Sequence, residues 1–225
     1  MDDKRRLILD QALALVDERG LAAMSMRAVA ERVGLTSMAL YPYVGGKDAL
    51  LDGLVDLLHQ ELGTSVGKGP GGEGADHEVP GGEGAGRQGP GREDAGHAGS
   101  GCEGADHDWR RRLRALGRAV RQLAYAHPGA FPLLLNRSAA GASASWLTAA
   151  LRGILHDAGM PGDRIPRLAR MICAFLLGYA TGEVTGGLPG SARGEAGERG
   201  EAGEREFEAD LADLVRLVEV AVRAT

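Results

Sequence analysis

Between residues 25 and 44 the chain reads SMRAVAERVGLTSMALYPYV. Ser25 and Thr36 are each placed to cap a short helix, because their side-chain oxygens can accept from the first free backbone amides. Val29, Ala30 and Val33 fall on one face of the first helix, and Gly34 can take the left-handed backbone that ends it. Two short helices joined by the four-residue turn Val33-Gly34-Leu35-Thr36 form a helix-turn-helix. In that arrangement the first helix braces across a nucleic-acid backbone, and the second lays its N-terminal side chains against base edges in the major groove. The side chains at that end are Thr36, Ser37, Met38 and Ala39. Methyl groups suit the thymine methyl, and hydroxyls serve bases or phosphates. The plainer alternative is a helical hairpin that only packs, with Leu40 and part of Tyr41 in its core.

Other chemistries find less support. No nucleophile elbow, phosphate-binding glycine loop or dinucleotide fingerprint occurs, and the Gly-rich tracts lack the flanking strand and helix such loops need. No enzyme is expected. His77, His97, Cys102 and His107 belong to copies of a ten-residue repeat, at spacings unlike a compact zinc site. No metal and no cofactor is expected, and no repeated Glu/His set for a di-iron bundle is present. With two cysteines a disulfide framework is excluded and a reducing cytoplasm fits. No uncharged stretch reaches the ~20 apolar residues of a membrane helix, so no membrane partner is expected.

The elements that must position residues 25–44 are helical throughout. The 225 residues are 44% hydrophobic but only 4% aromatic. Of 36 glycines, 16 fall in residues 63–108 and 7 in 186–205. Helical periodicity predicts helices over 4–19, with Ile8, Ala12, Leu15 and Val16 inward, and over 47–62, with Leu50, Leu54, Leu57 and Leu58 inward. Residues 71–110 instead repeat in tens, with almost no apolar side chain to bury, which reads as an acidic flexible linker. Periodicity resumes over 109–127, 143–158, 164–184 and 207–224. No alternating strand pattern occurs, so the fold class is all-α. The expected domains are 1–62, a linker at 63–108, and 109–225 with a disordered loop at 186–205.

Net charge is −5 overall but +8 over residues 109–185 and −6 over 63–108. Arg110, Arg111, Arg112, Arg114, Arg118 and Arg121 account for much of the former. A solvated helix face is the favoured reading of this row; the linker folding back on it is the alternative. Residues 1–62 carry −3. Any nucleic-acid contact must therefore come from local geometry and be salt-sensitive, through Lys4, Arg5, Arg6, Arg27 and Lys47, with Arg32 as a further candidate.

The stretch SMRAVAERVGLTSMALYPYVGGKDALLDGL resembles the DNA-binding domain of the TetR family of one-component transcriptional regulators. The resemblance rests on Arg27, Val29-Ala30, Val33-Gly34-Leu35, Leu40-Tyr41, Tyr43-Val44, Lys47 and Leu50. With the preceding helix and Gly20-Leu21 it covers residues 4–62. It implies that Arg27 reaches a phosphate or an adjacent base, and that Ser37, Met38 and Ala39 face bases. Tyr41 and Tyr43 would place hydroxyls on phosphates, and Lys47 would pair with a phosphate beside its helix N-terminus. Pro42 departs from the pattern: either the recognition helix ends one turn early or Tyr43 is re-aimed.

The resemblance further implies a ligand-released repressor, a homodimer on a palindromic double-stranded DNA operator, with helices 164–184 and 207–224 forming the dimer bundle. A small apolar or aromatic effector would bind among the body helices. Tyr125, His127, Phe131, Trp146, Met171, Phe175 and Tyr179 are the candidate contacts, with Tyr125 and His127 the best polar ones; for any single one, a place in the core is the favoured reading. The alternative is a helical small-molecule-binding protein that no longer reads DNA, and a third is a helical enzyme. A long insertion at 63–108 raises the question of how the two domains stay coupled.

Overall fold

The structure, a computed structural model, describes residues 3–67, 101–137, 144–187 and 198–224. Among these the chain is all helical, without a strand. The elements are α1 (Asp3–Arg19), a 3-10 turn (Leu21–Ala23), α2 (Met26–Arg32), α3 (Ser37–Val44) and α4 (Lys47–Gly67). They continue with α5 (Gly101–Ala126), α6 (Leu133–Asn136), α7 (Ala144–Asp157), α8 (Ile165–Thr185) and α9 (Glu198–Arg223).

The predicted stripes are the buried ones. Ile8, Ala12, Leu15 and Val16 of α1 meet Leu50, Leu54, Leu57 and Leu58 of α4, all excluded from solvent. The contact is close: a Cβ at Gly53 of α4 would lie 2.6 Å from Leu9. Helix α4 also packs on α5, α6 and α7, so one hydrophobic core runs from the N-terminal head into the C-terminal body. Central to that body is α5, which touches α4, α7, α8 and α9. Gly117 lets α9 approach it, since a Cβ there would sit 2.5 Å from Leu211.

Three expected boundaries move. Helix α4 runs on to Gly67, with the Thr64 and Ser65 hydroxyls donating back to the Glu61 carbonyl at 2.8 and 2.9 Å. Helix α5 begins at Gly101 rather than 109, and Asp108 pairs with Arg111 one turn on. The expected loop 186–205 is helical from Glu198, where Glu204 is claimed by Arg121 of α5. Residues 68–100 of the repeat tract, with His77 and His97, lie outside the described residues, as do 188–197. Cys102 and His107 fall in the first turns of α5.

The arginine row of α5 is a solvated face only in part: Arg111 and Arg118 are 73% and 49% exposed, but most of the row is paired. Arg110 pairs with Glu219 of α9 at 2.5 Å, Arg112 with Asp157 of α7, and Arg118 with Glu208 of α9 at 2.5 Å. Arg121 is buried and holds Glu183 of α8 at 2.8 Å as well as Glu204. Its guanidinium also lies over the Tyr125 and Phe207 rings, at 5.0 and 4.8 Å. The row therefore ties α5 to three neighbouring helices.

Candidate nucleic-acid interface

Local chemistry builds the helix-turn-helix as the sequence suggests. The Ser25 hydroxyl accepts from the Ala28 amide at 3.1 Å and starts α2. At its far end Gly34 has φ 70°, the Leu35 amide donates to Ala30 O at 2.9 Å, and the Gly34 amide to Glu31 O at 3.4 Å. This is the paired Schellman bonding that turns a chain sharply out of a helix. Thr36 then caps α3, accepting from the Ala39 amide at 3.3 Å; its own hydroxyl hydrogen is left to donate.

Helix α3 is pinned from behind by Leu40 and Val44, both buried, with its front open. Met38 is 78% exposed, the most of any large apolar side chain described. Thr36 and Tyr41 are exposed, Ser37 and Ala39 half-buried. Pro42 does not end the helix early: α3 continues to Val44 and closes with the Gly45 amide on Tyr41 O at 2.8 Å. The donor that proline lacks would have served the carbonyl of Met38, four residues back, and both residues lie at the surface. Tyr43 is half-buried against the core, with Lys4 Nζ 5.8 Å from its ring centre.

Cations flank this helix. Arg27, in the first turn of α2, is paired with Glu31 at 2.9 Å, but its side chain is 85% exposed. Such a surface pair is worth little and can be exchanged for a phosphate. Lys47 opens α4 and is exposed. Arg32, by contrast, has its fork engaged: both arms close on Glu18 of α1. That hydrogen bond holds the Glu18 carboxyl below its ordinary range.

The seven body candidates fall in several places. Tyr125 lies under Arg121, which also covers Phe207; Tyr179 stands 5.5 Å from the Phe207 ring and 5.7 Å from the Phe175 ring. Burial, then the hydrogen bond to Asp210, pushes the Tyr179 phenol well above its usual range. Phe131 is wholly buried, and Trp146 sits beside Gly63 of α4, 3.5 Å from where a Cβ would stand. Met171 is exposed on α8. His127 lies at the joint between head and body, with a carboxylate on each ring nitrogen: Asp17 of α1 and Glu61 of α4. Nothing in the local sequence signals this role. Nor does it signal Arg137, which holds Asp48 and Asp52 of α4 at 3.2 and 3.0 Å. Among the described residues no group of three or more His, Cys, Asp or Glu is placed to hold a metal ion, and no helix is long and apolar enough to cross a membrane.

Comparison with known proteins bears on both halves. The family pattern described as bacterial regulatory proteins, tetR family, matches residues 8–54, and that of the tetracyclin repressor-like C-terminal domain matches 113–217. The HTH-type transcriptional repressor DrrR1 of Streptomyces coeruleorubidus is 37% identical over 65 residues, which are 29% of this chain and 24% of that relative. The chain thus aligns with about a quarter of that relative's length. Among solved structures, ActR of Streptomyces coelicolor in complex with actinorhodin superposes with TM-score 0.63 at 18% identity, covering 97% of each chain. BioQ of Mycobacterium smegmatis, solved with its double-stranded DNA operator, superposes with TM-score 0.62 at 18% identity, covering 96% of this chain and 98% of that one. At such identities these two speak for the fold alone. With a regulator-type helix-turn-helix head and a body of the matching C-terminal class joined on one core, the chain belongs to the TetR family of bacterial regulatory proteins.

Proposed function

We propose that this chain is a cytoplasmic transcriptional repressor that binds a palindromic DNA operator as a homodimer and releases it when a small apolar or aromatic molecule enters the body. The observation that carries the reading is α3, fixed from behind by Leu40 and Val44 while Met38, Thr36 and Tyr41 face outward. Arg27 and Lys47 stand at the starts of α2 and α4, and at Lys47 the helix N-terminus adds to the pull on phosphate. Repression is supported by the likeness to DrrR1, a repressor by name. The same fold is solved in BioQ on its operator and in ActR with actinorhodin, so it accommodates both kinds of partner that this reading assigns.

Two heads are needed because one helix-turn-helix reads only a few base pairs, and a two-fold dimer spaces two recognition helices by about one DNA turn, ~34–36 Å. The apolar surface for such a dimer is on α8 and α9. Met171 and Phe175, one turn apart on α8, are 56% and 39% exposed, and Leu217 and Val220 on α9 are 67% and 63% exposed. The effector's place in this reading is the cluster of Tyr125, Phe175 and Tyr179, and it releases DNA by preferring a dimer whose heads are misplaced. Helix α4, packed on α1 and α3 as well as on α5, α6 and α7, transmits that preference.

The test is selection of duplexes from a random-sequence pool by the full-length protein, followed by binding across a salt series. The expected result is a palindromic consensus whose affinity falls steeply with salt and is weakened in Arg27→Ala and Lys47→Ala. A pool that shows no enrichment even at low salt would overturn operator binding and favour a small-molecule-binding protein that does not read DNA.

A further inference from the structure

His127 lies one residue beyond α5, where head and body meet. Its Nδ1 is 2.6 Å from Asp17 Oδ2 on α1, and its Nε2 is 3.0 Å from Glu61 Oε2 on α4. Ionised carboxylates only accept hydrogen bonds, and a neutral imidazole carries a single N–H. The ring donates to both carboxylates only when it holds two protons. The surroundings are built for close contact: Asp17 Oδ1 also accepts the Ala130 amide at 3.3 Å. A Cβ at Gly129 would lie 2.9 Å from the carbonyl carbon of Val16, so the turn after α5 rests directly on the backbone of α1.

We propose that His127 is a proton-dependent clasp between head and body, which when doubly protonated holds α1 and α4 against the turn after α5. When the ring loses a proton, one carboxylate faces a lone pair, that tie opens, and the heads lose the spacing that fits DNA. The clasp stands on the geometry above; its effect on DNA rests on the regulator reading. The charged groups facing the ring are Asp17 from α1 and Glu61 from α4. The Asp17 hydrogen bond, against the opposing effect of burial, raises the ring's pKa above its ordinary value. A histidine raised in this way stabilises the folded joint fully below about pH 6.5 and loses that contribution as pH rises through the raised value. His59 on α4 has the opposite sign: burial lowers its pKa, so its contribution is lost toward acid. Arg137 holds Asp48 and Asp52 of α4 through contacts that do not pass through the ring, so the joint loosens on one side rather than separating.

The experiment follows the histidine ring signals of the full-length protein by NMR, with His127→Gln assigning the resonance. Thermal melts and binding to a duplex selected from a random pool are then compared between about pH 6 and about pH 8.5. The expected result is a His127 ring that titrates above about 6.5 and a melting temperature and DNA affinity that fall over this range. A one-unit difference in pKa between clasped and open states is worth about tenfold in affinity. His127→Gln and the permanently charged His127→Lys should both lack this fall. A ring titrating at or below its ordinary value, or equal pH slopes in wild type and His127→Lys, would overturn the clasp even if the Gln variant failed to fold. A clasp that titrates as expected while DNA affinity stays flat with pH would overturn its coupling to the heads. Failure to select any duplex at about pH 6 counts against the regulator reading instead, with the ring titration and melts still deciding the clasp.

Discussion

Arg32, the last residue of α2, sets both arms of its guanidinium on the Glu18 carboxylate of α1, at 2.5 and 2.6 Å, while its Nε donates to Gln11 Oε1 at 3.0 Å. Three bonds to two residues of one helix fix the angle at which α2, and the turn it launches, leaves α1. Arg32→Ala should therefore reduce affinity for a selected duplex several-fold without changing the preferred sequence. Arg32→Lys should recover little, because an ammonium cannot fork. Binding titrations on one duplex and a single-mismatch series would check both; unchanged affinity in the alanine variant would mean that the core alone orients the head.

Arg121 and Glu183 make a second test possible. Both side chains are about nine-tenths buried, at 10% and 11% exposure. Removing one partner strands the other, and Arg121→Ala should cost about 3–5 kcal/mol in a denaturation experiment. Replacing both with apolar residues, Arg121→Met with Glu183→Leu, should restore most of that loss. A double variant as unstable as the single one would show that the pair contributes by charge rather than by filling space.

Gly129 meets the backbone of α1 without room for a side chain. Gly129→Ala should lower stability by about 1–3 kcal/mol through overpacking at the joint. The companion substitution Ser25→Ala, which removes the cap of α2 at the surface, should cost about 1 kcal/mol. Melting curves of the two variants should differ in that order. A neutral Gly129→Ala would mean that the turn after α5 can lift away from α1.

The dimer reading predicts that Leu217→Asp combined with Val220→Asp produces a folded monomer. Sedimentation would show the halved mass, and circular dichroism the retained helix. Affinity for a palindromic duplex should fall by orders of magnitude, because each half-site would be bound alone. A double variant that remained dimeric would move the interface off these two side chains.

Much of the fold was legible because local spacing carries it. Leu50, Leu54, Leu57 and Leu58 recur at helical intervals and are buried as expected, and Gly34 turns the chain where its lack of a side chain allows. The outward set Thr36, Met38 and Tyr41 follows from the same helix. Ion pairing across the body was not legible. The arginines of α5 find Asp157, Glu208 and Glu219 at 45, 90 and 109 residues' separation, distances at which no periodicity relates two side chains. His127 finds its carboxylates 110 and 66 residues away. The helical stretch at 198–205 was concealed by its glycine content; Glu204 reaching Arg121 and Gly203 lying against that same side chain give it tertiary support that composition does not register. Arg121 was read with the solvated row and is instead buried, one turn past Gly117 at the border of the buried stripe of α5.

Helix α4 runs through both halves of the one core, closing the head with α1 and α3 and walling the body against α5, α6 and α7. The described joint is therefore made by side chains meeting in space rather than by the covalent path from residue 67 to residue 101. A chain severed between those residues would be expected to behave as two fragments that seek each other out, a natural split protein.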